Sequence, residues 1–170
     1  MSKSPPSFAQ GFTLVEILIA VVVLSFGLLG LAGLQAAGIK STHSANLRTL
    51  AVQQAYDMAD RMRANVDGVK GGAYDAISTS TPADPACISN VGGCTPANLA
   101  VYDQFAWNTN NGNMLPLGRG TVATIVGPVP PNKAYVITVM WDDYRTGVLG
   151  AGCSGNPAID LTCFQITFRP

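Results

Sequence analysis

One acidic residue lies where a charge is unfavourable. Glu16 is the only glutamate in the sequence, and the residues from Ile17 to Ile39 that follow it carry no charge. Desolvating a carboxylate at the edge of a membrane-length apolar segment is costly, so an acid in that place indicates function. The chemistry open to it is charge pairing, because a carboxylate and a cation that are each costly to bury can neutralise one another.

Four cysteines lie late in the chain, at Cys87, Cys94, Cys153 and Cys163. Their Cys-x6-Cys and Cys-x9-Cys spacings do not match a zinc site, and His43 is the only histidine. An even number of cysteines after an export segment indicates disulfides in an oxidising compartment. Sequence neighbours are the favoured pairs, Cys87–Cys94 and Cys153–Cys163. The other connectivities and four buried free thiols remain alternatives.

The sequence offers no set of residues for catalysis, a cofactor or a metal. A single histidine among scattered serines makes no nucleophilic triad, and no phosphate loop or dinucleotide fingerprint is present. The acid pair Asp142-Asp143 could offer oxygens to Ca²⁺, but calcium needs about six to eight of them. A solvated turn is therefore the favoured interpretation of that pair.

The charge balance gives no support for nucleic-acid binding. The chain has ten basic and ten acidic residues. After Val66 the acids exceed the bases, which are Lys70, Arg119, Lys133, Arg145 and Arg169 against Asp67, Asp75, Asp84, Asp103, Asp142, Asp143 and Asp160. A nucleic-acid partner would require a basic stripe on this part of the chain.

A long helix is predicted from Phe12 to about Asn65. Its first half is apolar all round, as in a lipid-embedded or bundle-core helix, and Ile17–Ile39 would span about 34 Å. Its second half is amphipathic and should pack on a C-terminal sheet. The apolar stripe at helical spacing consists of Leu47, Leu50, Ala51, Ala55, Met58, Ala59 and Met62.

The rest of the chain predicts a small α+β head. Turn residues make Val66–Val101 an irregular connection, followed by a short helix around Ala97–Trp107 and a polar loop over Asn108–Gly120. Alternation of apolar and polar residues predicts three strands, with Trp141 in the core. The strands are Thr121–Val126, Ala134–Trp141 and Thr162–Arg169.

Five stretches carry a family resemblance. Gly11-Phe12-Thr13-Leu14-Val15-Glu16, followed by the apolar run, resembles the N-terminus of type IV pilins and of the pseudopilins of type II secretion. The end of the helix and the second half are similar to minor pilins of the PilV type. The segments concerned are Ala55–Asn65, Asp103-x3-Trp107, Leu115-Pro116-x-Gly118-x-Gly120-x-Val122 and Val139–Asp143.

The resemblance implies how the N-terminus is processed. A prepilin peptidase would cut between Gly11 and Phe12 and methylate the new terminal Phe12. Glu16 would become the fifth mature residue, whose carboxylate meets the terminal amine of a neighbouring subunit and sets its register. The expected organisation is a leader over 1–11, a transmembrane or filament-core helix over 12–39, its amphipathic continuation over 40–66 and a disulfide-containing head over 67–170.

The resemblance also implies a role in assembly and no enzymatic activity. A minor pilin would prime or modify pilus assembly and enter the filament at or near its tip, supporting twitching motility and adhesion. The expected partners are the prepilin peptidase, major and other minor pilins, the inner-membrane assembly platform and membrane lipid. The chain would lie in the bacterial inner membrane, head in the periplasm, before entering an extracellular pilus.

Four alternatives remain open. The first is a minor pseudopilin of a type II secretion system, which shares the N-terminus and a related head. The second is a DNA-uptake minor pilin, disfavoured by the acidic head. The third is an ordinary secretory signal cut near Ala36–Ala37, although the apolar run is longer than such signals have. The fourth is an enzyme anchored by a pilin-like helix.

Overall fold

The computed structural model describes residues 11–126 and 133–170. The chain consists of two compact units, of which the first ends at His43 and the second begins at Ser44. The architecture is α+β, as predicted, with one long helix and a small antiparallel sheet. In chain order the elements are α1 Leu14–Ala64, α2 Val66–Lys70, β1 Ala76–Ile77, α3 Pro96–Met114, β2 Arg119–Val126, β3 Lys133–Trp141 and β4 Thr162–Phe168.

The part of α1 that lies in the first unit has no buried residue between Leu14 and His43. An 18-residue window of α1 has a mean hydropathy of 2.7 and is wholly unburied, so α1 could cross a membrane by its length and composition. Two of the hydroxyls in this part bond within the helix itself. Ser25 donates to the carbonyl of Val21 at 2.7 Å, and Thr42 donates to that of Gly38 at 2.9 Å. These hydroxyls therefore add little polar surface that needs water.

The second unit contains an antiparallel sheet with the strand order β1-β2-β3-β4. The β2–β3 ladder runs from Arg119↔Met140 to Val126↔Lys133, and the β3–β4 ladder from Tyr135↔Phe168 to Trp141↔Thr162. The three predicted strands are present with ends shifted by up to two residues. The sequence reading missed β1, because a two-residue strand is too short to show alternation.

The core lies between the second part of α1 and the sheet. The predicted helical stripe is confirmed: all its members are buried except Leu50, which is partly buried and packs on the same cluster. Gln54 is buried beside them. The sheet and the remaining elements contribute Val69, Tyr74, Ile77, Ala100, Trp107, Leu115, Val122, Tyr135, Ile137, Val139, Trp141 and Phe168.

The predictions for the middle of the chain were partly wrong. The third helix continues through the asparagine-rich stretch to Met114, so Asn108–Gly120 is not a loop throughout. The region from Val66 to Val101, read as irregular, contains α2, β1 and the start of α3. The side chain of Asn108 explains the helix extension. Its Oδ1 accepts a hydrogen bond from the backbone amide of Gly120 at 2.7 Å, and its Nδ2 donates to the carbonyls of Ser78 and Ser80, each at 3.1 Å. Such tertiary bonds override the weak helix propensity of asparagine.

Both disulfides in the structure join the sequence neighbours. Cys87 pairs with Cys94 at a Cα–Cα distance of 4.9 Å, and Cys153 pairs with Cys163 at 5.5 Å. No cysteine is left free. Each bond closes a short loop and thereby restricts the unfolded chain.

Candidate functional site

Thr13 precedes the long helix and caps its first turn. The Glu16 amide donates to the Thr13 hydroxyl at 3.3 Å, and the Ile17 amide donates to the Thr13 carbonyl, also at 3.3 Å. Threonine with glutamate three residues later has the spacing of a capping box, and an acid in the first turn also suits the helix dipole. The sequence reading missed this cap, in which Glu16 takes part through its backbone amide.

The bond between Gly11 and Phe12 lies outside regular structure. Gly11 to Thr13 precede the helix and are exposed, and Phe12 itself is 79% exposed. An exposed, unstructured peptide bond is the kind that proteases reach. The junction predicted as the cleavage site is therefore accessible in the chain by itself.

The Glu16 side chain lies on an exposed apolar surface. Leu14, Val15 and Ile17 around it are all more than half exposed. Within residues 11–126 and 133–170, the Glu16 carboxylate forms no hydrogen bond and no ion pair. The bond between Glu16 and the Thr13 hydroxyl is made by the Glu16 backbone amide. The described part of the chain thus supplies no cation for this carboxylate.

A buried ionic cluster lies in the head. Asp103 is 5% exposed, and its carboxylate accepts a hydrogen bond from the Tyr74 hydroxyl at 2.5 Å and from Arg61 Nη1 at 3.2 Å. Arg61 Nε also donates to Asp57 at 2.8 Å. This cluster ties the end of α1 to α3, since Arg61 belongs to the first helix and Asp103 to the other.

Asn65 extends this cluster to the end of α1. Its Nδ2 donates to the Tyr74 hydroxyl at 3.0 Å and to the Pro96 carbonyl at 2.8 Å, while its Oδ1 accepts from the Gly68 amide at 3.1 Å. Every polar atom of the amide group thus has a partner, as a buried amide requires. Asn65 thereby joins α1, α2 and α3 at one point.

The cluster shifts two pKa values. Burial raises the pKa of Tyr74, and the bond to the Asp103 carboxylate raises it further. Burial by itself would lower the pKa of Arg61, but the hydrogen bonds and charges of Asp57 and Asp103 outweigh burial and raise it. Both groups keep their protons at neutral pH, so the cluster contains a neutral phenol and a charged guanidinium.

The spacing of Trp107, Gly118 and Gly120 corresponds to a steric fit. Trp107 is fully buried, and its Nε1 donates to the Gln54 carbonyl at 2.8 Å. A Cβ atom on Gly120 would lie 2.2 Å from the Trp107 ring, and one on Gly118 would lie 2.0 Å from the Asn111 carbonyl oxygen. Glycines at these two positions therefore allow β2 to start directly against α3.

The acid pair after β3 forms a turn, as favoured, although Asp142 is buried rather than solvated. Its carboxylate accepts from the amides of Thr146 at 3.1 Å and Gly147 at 2.7 Å. Burial would raise the pKa of Asp142, but these hydrogen bonds outweigh it and lower the pKa. Asp143 accepts from Ser44 Oγ at 2.6 Å. Within the described ranges, no three His, Cys, Asp or Glu side chains group as a metal would need.

Two family models match this chain. A model of the prokaryotic N-terminal methylation motif matches residues 7–32, and a model described as type IV pilin Tt1218 matches residues 33–105. A search of curated proteins and a search of solved structures found no match. The fold and these matches identify the chain as a type IV pilin-like protein. Its methylation motif implies processing by a prepilin peptidase and assembly with other pilins.

Proposed function

We propose that this chain is a minor type IV pilin that primes or modifies pilus assembly and enters the pilus at or near its tip. The observation that carries the proposal is the combination at the N-terminus. An exposed Gly11–Phe12 bond precedes an exposed apolar helix, and the only glutamate of the chain lies in its first turn. Such a helix needs lipid or other helices around it.

The proposed assembly step is charge neutralisation. Cleavage after Gly11 frees the amine of Phe12, which is then methylated and remains cationic. When the helix leaves lipid for the filament core, the Glu16 carboxylate pairs with the Phe12 amine of a neighbouring subunit. Each charge alone would oppose burial, so the pair forms only at the axial offset that brings the two groups together.

The head supports a structural role rather than catalysis. Its buried acids Asp103 and Asp142 are engaged in hydrogen bonds that hold helices and a turn. We therefore assign the chain no enzymatic activity and no cofactor. The proposed partners are the prepilin peptidase, the major pilin, other minor pilins and the inner-membrane assembly platform. The head would face the periplasm before assembly and lie outside the cell afterwards, where it would support twitching motility and adhesion.

Glu16→Ala tests the assembly step. The variant should still be cut and methylated at Phe12 but should be lost from sheared filaments, because its neighbour's amine would have no partner. Gln35→Ala is the matched control, since it removes an exposed polar group from the same helix without removing a charge. Normal incorporation of Glu16→Ala would overturn the proposed pairing.

Mass spectrometry of sheared surface filaments tests the wider proposal. A peptide beginning at methylated Phe12 in that fraction is the expected result. Processed peptide found only in the envelope would favour a secretion pseudopilin or a purely priming role. A chain that begins near Ala36 would overturn the assignment, because the apolar helix would then have been a removable signal.

A further inference from the structure

The last strand, β4, forms one edge of the sheet. It pairs only with β3, along seven residues from Thr162 to Phe168. In an antiparallel pair, alternate residues direct their amide and carbonyl groups away from the neighbouring strand. Within the described part of the chain, no other backbone hydrogen bond involves these seven residues. The outer side of β4 therefore presents a row of unused donors and acceptors.

The opposite edge is covered by the chain itself. Strand β2 pairs with β1 at Val122 and Ala123. The Gly120 amide donates to Asn108 Oδ1 at 2.7 Å, and the Thr124 amide donates to the Asp75 carbonyl at 3.3 Å. A short strand, a helix side chain and a loop carbonyl thus occupy the β2 edge. The β2 edge is therefore covered by other parts of the chain, whereas within the described ranges the outer edge of β4 is not.

The composition of β4 offers no protection against pairing. Natural edge strands are usually blunted by lysine, proline, bulges or short length. Thr-Cys-Phe-Gln-Ile-Thr-Phe contains no charged residue and no proline, and Arg169 and Pro170 come only after it. On the core face, Phe164 and Ile166 are only partly buried, although both pack on the core. An added strand would cover part of the apolar surface that these side chains still expose.

We propose that β4 pairs edge to edge with an extended strand of a different pilin-like subunit, not with a second copy of this chain. This proposal rests on the proposed function, which supplies such neighbours. The backbone ladder would provide the attachment, as in other cases where a strand is added to a sheet. A charge at the end of β4 adds a preference for the partner's residues. Arg169 is exposed there and favours an acid beside it.

Photo-crosslinking in cells tests this contact on the full chain. Benzoylphenylalanine at Thr167, an exposed β4 position, should form an adduct with an extended segment of another pilin-like subunit. The same group at Ala123, an exposed position of β2, is the matched control and should give little adduct. Adducts that contain only a second copy of this chain would overturn the assigned partner, and equal labelling from both positions would overturn the use of this edge.

A lysine on the strand provides the second test. Thr167→Lys should lower recovery of the crosslinked or co-purified partner about tenfold, which is the loss expected when one or two net hydrogen bonds no longer form. Ala123→Lys adds the same charge at the other edge and should leave recovery unchanged. Matching unfolding midpoints for the two variants would show that the head is intact, and unchanged recovery with Thr167→Lys would overturn the proposal.

Processing and incorporation separate this proposal from the proposed function. If the wild-type chain is cut at Phe12 and enters filaments but Thr167 yields no adduct, the β4 contact is wrong and the minor-pilin role stands. If the wild-type chain is neither cut nor incorporated, the minor-pilin role is wrong, and the assigned partner is lost with it.

Discussion

The two parts of α1 have the same secondary structure and opposite surroundings. From Leu14 to His43, in the first unit, no residue is buried. From Leu47 to Met62, in the second unit, one stripe is buried in the core of the head. Most helical stability in proteins comes from packing of an apolar face, and only the second part finds this packing within the chain. The first part is apolar and long enough to find such packing in lipid or among other subunits.

The acids of the two units show the same contrast. Asp103 is buried and bonds Arg61 and Tyr74 of its own chain. Glu16 is exposed, and its carboxylate has no partner within the described residues. Removing Asp103 should therefore affect folding of the head, whereas removing Glu16 should affect assembly and leave folding unchanged. The following experiments test this division, in order of expected effect.

Asp103→Ala should destabilise the head by about 3 kcal/mol, because it leaves Tyr74 buried without its acceptor and Arg61 without one of its two carboxylates. Chemical unfolding of the full chain in detergent, followed by tryptophan fluorescence, measures this effect. Trp107 and Trp141 are the only tryptophans, and both are buried in the head, so the signal reports the head alone.

Asp60→Ala is the control for that measurement. Asp60 pairs with Arg63 at 2.6 Å on the exposed side of α1, and such surface pairs contribute less than about 1 kcal/mol. Equal midpoints for the two variants would contradict the assignment of Asp103 to the fold. Glu16→Ala should leave the midpoint at the wild-type value.

Gly120→Ala should cost about 2 kcal/mol, because the new Cβ would lie 2.2 Å from the Trp107 ring in a filled core. Gly30→Ala provides the comparison from the first unit. A Cβ on Gly30 meets nothing within 4 Å in the isolated chain, so the variant should fold normally, with a gain in helix propensity of about 1 kcal/mol.

Unfolding followed by tryptophan fluorescence measures the stability of Gly120→Ala. Circular dichroism measures the helicity of Gly30→Ala, and recovery in sheared filaments measures its assembly. Lower filament recovery with Gly30→Ala and unchanged helicity would indicate that small residues allow close helix packing in the filament. A destabilised head in Gly30→Ala would contradict the division between the two units.

The smallest predicted effect is on acid stability. The pKa of Asp142 in the folded chain lies below its ordinary value of 3.8. Its contribution to stability is therefore present above that ordinary pKa and is lost as the pH falls through the lower, folded value. Asp142→Asn should flatten the fall in stability below about pH 4, compared with the exposed control Asp67→Asn. Parallel pH profiles for the two variants would contradict this role.

Much of α1 could be predicted from the sequence, because local periodicity determines it. The uncharged run, the stripe from Leu47 to Met62 and the glutamate in the first turn all follow from the spacing of residue types. The strands were predictable for a similar reason, since β3 and β4 alternate or are rich in β-formers. The structure also has the two disulfides between sequence neighbours.

Other features depended on contacts between distant residues. The helix continues through Asn108 because that amide finds carbonyl and amide partners far along the chain, and β1 exists only because β2 pairs with it. The sequence places Asp103 in the acid excess of the head but does not show that it is buried, where Arg61 and Tyr74 donate hydrogen bonds to it. A buried polar group is stable only where hydrogen-bond partners lie beside it. A local sequence pattern does not predict which distant residues provide those partners.

The sequence by itself determined the class of this protein, because an apolar helix with one glutamate and a Gly11–Phe12 junction is a local pattern. Only the tertiary structure decided which edge of the sheet is covered and which is open, and which carboxylates are buried. The physical reason is that hydrophobic periodicity acts between near neighbours, whereas desolvation of a charge or a sheet edge depends on what the whole fold places beside it.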